Sequence, residues 1–330
     1  MNESNNNQIA IEATGLVKHF GETRAVDGVD LTVPTGTVTA LLGPNGAGKT
    51  TTVRILTTLL RPDGGSATVA GVDLAKNPND VRAKIGLTGQ DTAVDELLTG
   101  RENLVMIGRL ARMSADDAKA RAEELLTRFE LQDAGDRNAG TYSGGMRRRL
   151  DLASSMIAGP EILFLDEPTT GLDPRSRLGM WEQIEELVEG GTTVLLTTQY
   201  LDEADKLADE IVVIDHGKVI ARGTSAELKV QVGGERLEFT FEDEATVDRA
   251  TALLHEGGIE IGDRDEEAHS LTIGLTDGAS QVARLIDRVE GGGISISEVF
   301  VHRPTLDDVF LKLTGEHVEH SDEDNLEESR

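Results

Sequence analysis

Residues 38–56 read VTALLGPNGAGKTTTVRIL, and this stretch decides the fold. Val38–Leu42 has no polar alternation, so it reads as a strand covered on both faces. Behind it, Gly43-Pro44-Asn45-Gly46-Ala47-Gly48-Lys49-Thr50 fits the pattern G-x-x-x-x-G-K-[ST]. A helix follows, with Val53, Leu56 and Leu60 on one face. Strand, glycine loop and helix in this order make a phosphate cradle. The glycines let backbone N–H groups approach the oxygens, and the helix N-terminus adds partial positive charge. Lys49 is expected at the β/γ oxygens, and Thr50 offers a hydroxyl to Mg²⁺. The expected phosphate contacts are Gly43 to Thr50 together with Thr51. The competing reading is a glycine-rich turn that binds nothing.

Further along, Ile162-Leu163-Phe164-Leu165 is a second buried strand, closed by Asp166-Glu167. On its own an acidic pair after a strand is a helix cap or a solvated turn. Behind a phosphate loop, Asp166 is expected to hold Mg²⁺ through its coordinated water, and Glu167 to polarise the attacking water. Val194–Thr198 and Ile211–Ile214 are further apolar strands, and Asp116–Phe129 and Arg175–Val188 carry helical periodicity. The class is α/β, with a parallel sheet in the part up to about Ser225, and the G-x-x-x-x-G-K-[ST] motif behind its first apolar strand makes that part resemble a P-loop NTPase.

The composition changes near Lys229–Glu235, so residues 226–235 are expected to be a linker. Beyond it the pattern predicts strand Leu237–Phe241, helix Ala245–His255, strand Ile259–Gly262, strand Leu271–Leu275, helix Ser280–Val289 and strand Ser295–Val301. That βαββαβ order suggests a small α+β, ferredoxin-like domain over residues 236–315. A last helix, Thr305–Leu313, starts after Pro304. Residues 1–8 are polar and 316–330 mostly acidic, and both are expected to be disordered.

Thr141-Tyr142-Ser143-Gly144-Gly145-Met146, followed by Arg147-Arg148-Arg149, is an N-cap serine with two glycines opening a helix. Alone it is no more than a second potential anion site. Placed shortly before the carboxylate strand, it resembles the signature segment of ABC transporter nucleotide-binding subunits. The resemblance covers residues 9–225, with a helical subdomain at about 91–158. Within that family the chain is similar to the daunorubicin/doxorubicin-resistance type. The runs 142–153 and 197–205 and the appended C-terminal domain carry that likeness. The resemblance implies that Phe20 stacks on adenine, that Gln90 belongs to the glutamine loop serving metal and catalysis, and that Gly171-Leu172-Asp173 is the D-loop. It also implies a homodimer that sandwiches ATP head to tail, with Ser143, Gly144, Gly145 and Asp173 completing the partner's site. A separate membrane permease would receive the motion through the segment after Gln90, with export of a drug or other hydrophobic compound. Two positions depart from the pattern. Met146 replaces a glutamine at the edge of the signature. Gln199 replaces the switch histidine, so it can still donate a hydrogen bond to the γ-phosphate but cannot titrate near pH 7.

Composition narrows the remaining classes. The net charge is −28, with 9 lysines among 32 basic residues, 3% aromatic residues and no cysteine. Disulfides and thiolate metal sites are excluded, and the charge and scarcity of aromatics argue against nucleic-acid binding. No apolar run reaches 18 residues, so no membrane span is expected; the resemblance implies a peripheral place at the cytoplasmic face of the membrane, through the permease. A soluble non-transport ATPase and a non-hydrolysing regulatory subunit are the alternatives. The acidic, lysine-poor composition fits either simple acidic bias or adaptation to high internal salt. His216, in the run Asp215-His216-Gly217-Lys218, reads as a hairpin turn and not as a ligand.

Overall fold

The computed structural model describes residues 8–90, 92–231, 235–265, 267–276 and 278–314. The described chain divides into two compact units, one up to Ser225 and one from Ala226 onward.

The first unit opens with β1 (Ile9–Phe20) and β2 (Thr23–Pro34), followed by β3 (Val38–Leu42), α1 (Lys49–Leu56), β4 (Gly64–Val69), β5 (Val72–Asp73), α2 (Pro78–Arg82) and β6 (Ile85–Thr88). Three longer helices come next: α3 (Gly100–Leu110), α4 (Ala115–Arg128) and α5 (Gly144–Ser155). The unit ends with β7 (Ile162–Asp166), α6 (Pro174–Glu189), β8 (Thr193–Thr198), α7 (Leu201–Leu207), β9 (Glu210–Asp215) and β10 (Lys218–Gly223). A six-stranded sheet has the order β10-β9-β3-β8-β7-β6, parallel from β9 to β6. All residues of β3, β7 and β8 are buried, as a sheet covered on both faces demands. The antiparallel β9–β10 hairpin turns at His216 and Gly217, both at positive φ, and His216 is exposed there.

The sequence reading did not foresee a second, antiparallel sheet of order β2-β1-β4-β5. Its two long strands bury Ile11, Ala13, Leu16, Val29, Leu31 and Val33, but the β1–β2 register shifts four times. Each shift breaks the period of two that would have exposed the strands as strands. Helix α1 joins the core that both sheets share, with Val53, Ile55 and Leu56 buried. That burial anchors the loop in front of it.

Residues 226–235 are not simply a linker. They begin inside helix α8 (Ser225–Val230), whose Leu228 is fully buried. A run of helix formers with one apolar anchor explains the correction. Of the residues expected to be disordered, 1–7 and 316–330 lie outside the described residues, while Gln8 is held, its carbonyl accepting from Thr35 N at 2.8 Å.

The second unit continues through β11 (Arg236–Thr240), α9 (Glu244–Glu256), β12 (Arg264–Asp265), β13 (Ser270–Gly274), α10 (Gly278–Gly291), β14 (Glu298–His302) and α11 (Leu306–Thr314). Its antiparallel sheet has the ferredoxin-like order β12-β13-β11-β14. Leu237 and Phe239 pack with Val247 and Leu254 of α9 and Leu285 and Val289 of α10. The second strand falls at Arg264–Asp265, not at the expected Ile259–Gly262. Ile259 N is spent on Leu254 O at the end of α9, so the chain reaches β13 only from Gly262, which donates to Thr272 O at 2.7 Å.

Candidate active site

The glycine loop leaves β3 and enters α1 under tight backbone approach. A Cβ at Gly43 would lie 2.1 Å from Ile214 O, and one at Gly48 2.3 Å from Ala25 O. Gly48 also has a φ of 107°. Only glycine fits either position. Lys49 is buried within this loop, and Nζ donates to Gly43 O at 2.7 Å and to Pro44 O at 3.1 Å, with Glu167 Oε1 3.6 Å away. Burial pulls the Lys49 pKa below its ordinary value, against the opposing pull of Glu167 and Asp166.

Strand β7 delivers both carboxylates to the loop. Asp166 Oδ1 accepts from Thr50 Oγ1 at 3.0 Å and from Thr197 Oγ1 at 2.6 Å, which fixes the acid from two sides. Glu167 has a φ of 52°, a strained conformation for a residue with a Cβ. Its N–H is held by the Thr197 carbonyl at 3.1 Å and hydroxyl at 3.0 Å. One cavity is lined by Ala25, the whole of Pro44–Thr51, Gln90 and Glu167. The structure therefore brings together the loop, Gln90 and the carboxylates named from the sequence.

It does not bring the other named residues to that cavity. Ser143 caps α5, its Oγ accepting from Met146 N at 3.2 Å. A Cβ on Gly145 would lie 2.6 Å from Ser176 Oγ, so the signature glycine makes room for the start of α6. Asp173 caps α6 by accepting from Ser176 N at 3.0 Å and Ser176 Oγ at 2.6 Å, which holds its pKa below the usual carboxylate range. Gly145 and Ser176 line a different cavity, with Arg149, Arg175 and Glu182. Gly144 stands at the first turn of α5. Phe20 is about half exposed, its ring 5.8 Å from Lys18 Nζ. Gln199 follows β8, half-buried, one residue before Tyr200, whose ring stacks on Arg177 of α6 at 5.2 Å.

Sequence reasoning missed two buried charged side chains near the carboxylate pair. Buried Arg148 donates to the carbonyls of Gly89 and Pro168, both at 2.7 Å, and to those of Glu167 at 2.9 Å and Asp166 at 3.3 Å. Asp151, which accepts from Ala93 N at 3.0 Å, stands 3.7 Å from it. One guanidinium thus clamps the end of β7 to the segment before Gln90. The signal was present, because Arg148, Asp151 and Leu152 share the buried face of α5 while Arg147 and Arg149 pair with Glu96 and Glu130. The other is Glu203, fully buried, whose Oε1 accepts from Thr169 Oγ1 at 2.8 Å and Trp181 Nε1 at 3.2 Å. Burial raises its pKa.

Known proteins with this arrangement are ABC transporter components. The ABC transporter family matches residues 26–170, and the C-terminal domain family of DrrA1-3-like ATP-binding proteins matches 223–314. The daunorubicin resistance ATP-binding protein DrrA2 of Streptomyces coeruleorubidus is 54% identical over 316 residues, 95% of this chain and 97% of that protein. The chain belongs to the ABC transporter ATP-binding family. The daunorubicin/doxorubicin resistance ATP-binding protein DrrA of Streptomyces peucetius is 53% identical over 93% of this chain and 92% of its own. A solved ATP-binding cassette, captured as a dimer in a post-hydrolysis state with ADP and Pi, matches with a TM-score of 0.59 and 25% identity. That match covers 65% of this chain and 98% of the cassette. As a member of this family the chain is an ATPase. No described helix is long and apolar enough to cross a membrane, and ATP-binding subunits of this family work with separate permease components.

Proposed function

We propose that this chain binds MgATP between two copies of itself and uses its hydrolysis to drive a permease that exports a drug or similar hydrophobic compound. The observation that carries the reading is the meeting of Thr50, Asp166, Glu167 and Lys49 at one loop. Thr50 Oγ1 and Asp166 Oδ1, 3.0 Å apart, are hard oxygen donors at the head of α1 and suit Mg²⁺, with Gln90 at the rim of the same cavity. When bound, the ion neutralises charge on the β- and γ-phosphates.

The protein's own groups do the rest. Lys49 exchanges its carbonyl partners for β/γ oxygens, which frees Glu167 to take a proton from the water attacking the γ-phosphorus. Gln199 donates a hydrogen bond to a γ-oxygen without carrying a proton. Phe20, exposed and mounted on the antiparallel sheet, stacks on adenine. Ser143, Gly144, Gly145 and Asp173 lie outside the loop's own cavity, which supports their service in the site of a second copy. Leu97 and Leu110, 84% and 73% exposed after Gln90, supply apolar contacts for the permease. That docking holds the chain peripherally at the cytoplasmic face of the membrane.

The relatives named above confer drug resistance, which favours export over a soluble or regulatory role. Gentle detergent co-purification from native membranes tests this reading. A polytopic membrane protein recovered in equal amount is the expected outcome; recovery from the soluble fraction alone removes transport and leaves the ATPase.

A further inference from the structure

The edge of the C-terminal sheet carries a self-complementary strand. β14 reads Glu298-Val299-Phe300-Val301-His302 and, among the described residues, pairs on one side only, with β11. Native edge strands are shielded by lysine, proline, bulges or covering elements. β14 has no lysine and no proline, all five residues are exposed, and Val299, Phe300 and Val301 are 38%, 50% and 44% exposed.

The direction of its free hydrogen-bonding groups follows from the ladder. Phe241 N donates to His269 O and Leu275 N to Glu235 O, so the odd-numbered residues of β11 bond toward β13. Its even-numbered residues therefore bond β14, through Glu298, Phe300 and His302. Val299 and Val301 then direct their N–H and C=O groups outward, away from the sheet.

We propose that β14 pairs antiparallel with β14 of a second copy of this chain, in a register centred on Phe300. This deepens the homodimer reading above by naming a contact separate from the nucleotide sandwich. In this register Val299 faces Val301 of the partner as a hydrogen-bonded pair, which uses the outward groups, and Phe300 faces its own copy as a non-hydrogen-bonded pair. Glu298 then meets the partner's His302. The His302 Nε2 already contacts Glu238 Oε2 at 2.5 Å, which leaves Nδ1 for the second carboxylate. Sliding by one residue would set outward groups against inward ones. Sliding to centre on Val301 sets Val299 against the partner's Arg303 and loses the match of Glu298 to His302. A two-fold axis through Phe300 makes the contact isologous, so it closes at two chains. Within a chain of charge −28, a patch with one acid, one imidazole and three apolar side chains lets two copies meet without adding repulsion.

The chain has no cysteine, so every introduced thiol is unique. In full-length protein without nucleotide, Phe300→Cys under oxidised glutathione is expected to form a disulfide-linked dimer. The Cα separation of a non-hydrogen-bonded pair, about 4.5 Å, lies within disulfide reach. Val301→Cys alone is expected to stay monomeric, because its own copy lies diagonally at about 7–8 Å. A mixture of Val299→Cys with Val301→Cys is expected to cross-link. Equal yields for Phe300→Cys and Val301→Cys, or no dimer from either, would overturn the proposal. Without thiols, Phe300→Asp is expected to weaken self-association by at least tenfold in sedimentation, and an unchanged association also overturns it. The nucleotide sandwich is tested apart, by ATP-dependent dimerisation of Glu167→Gln. If that variant dimerises while Phe300→Cys does not cross-link, the edge contact falls and the sandwich stands. Cross-linking without any ATP-dependent dimer gives the reverse result.

Discussion

The two units bury different things. Up to Ser225 the protein withdraws Lys49, Arg148, Asp151, Asp166, Glu167 and Glu203 from water, whereas beyond it Ser270 is the one buried polar side chain among the described residues. The C-terminal unit packs Leu237, Phe239, Val247, Leu254, Leu271 and Ile273 and leaves its charges outside. Burying a charge costs several kcal/mol unless a partner is placed for it. The first unit meets that cost by pairing, with Arg148 on four carbonyls and Asp166 between two hydroxyls. Such an arrangement holds groups ready for chemistry. The second unit is organised for packing and contact.

Glu167→Gln tests the contrast most severely. It is expected to cut steady-state phosphate release by on the order of 10²–10⁴, the contribution of a general base, while ATP still binds. Wild-type turnover would show that this buried carboxylate is structural. Phe239→Ala probes the other side. It is expected to cost about 3–5 kcal/mol of stability in the C-terminal unit and to leave ATP affinity unchanged. A parallel loss of nucleotide binding in calorimetry would erase the division of labour. Lys49→Ala should weaken a fluorescent ATP analogue by roughly ten- to hundredfold, since a charged hydrogen bond contributes about 1.5–3 kcal/mol.

The smallest effect is a pH dependence. Burial raises the Glu203 pKa above its ordinary 4.5, so the folded protein keeps a proton that the unfolded chain has released. Stability is therefore lost as pH rises above about 4.5, until the folded-state pKa is passed. Glu203→Gln keeps the uncharged shape without that loss. Its melting temperature is expected to gain on wild type as the pH rises from about 4.5 toward neutrality. A constant difference across the window would mean that the carboxyl is charged in the fold.

Much of the site was legible because its parts are contiguous. Gly43 to Thr51, Asp166-Glu167 and the Ser143 cap each declare themselves within a few residues, and they sit at strand ends and helix starts that periodicity also marks. Arg148 stands in a run of three arginines, and only the periodicity of α5, which puts it on one face with Asp151 and Leu152, distinguishes it from its neighbours. The antiparallel sheet was missed because its bulges scramble the alternation, and β12 was misplaced because the Ile259 N–H at the expected strand start serves the end of α9.

The sequence by itself determined the α/β class, the glycine loop with its lysine and threonine, the carboxylate pair, and the order of elements in the C-terminal unit. These rest on local periodicity and on motifs in which neighbouring residues do the work. Only the tertiary structure decided that Thr50 and Thr197 grip one oxygen of Asp166, from 116 and 31 residues away. It also decided that Arg148 clamps β7 and that β14 stands open at an edge. Contacts of that kind leave no local pattern, because they exist only once the sheet has brought distant segments side by side.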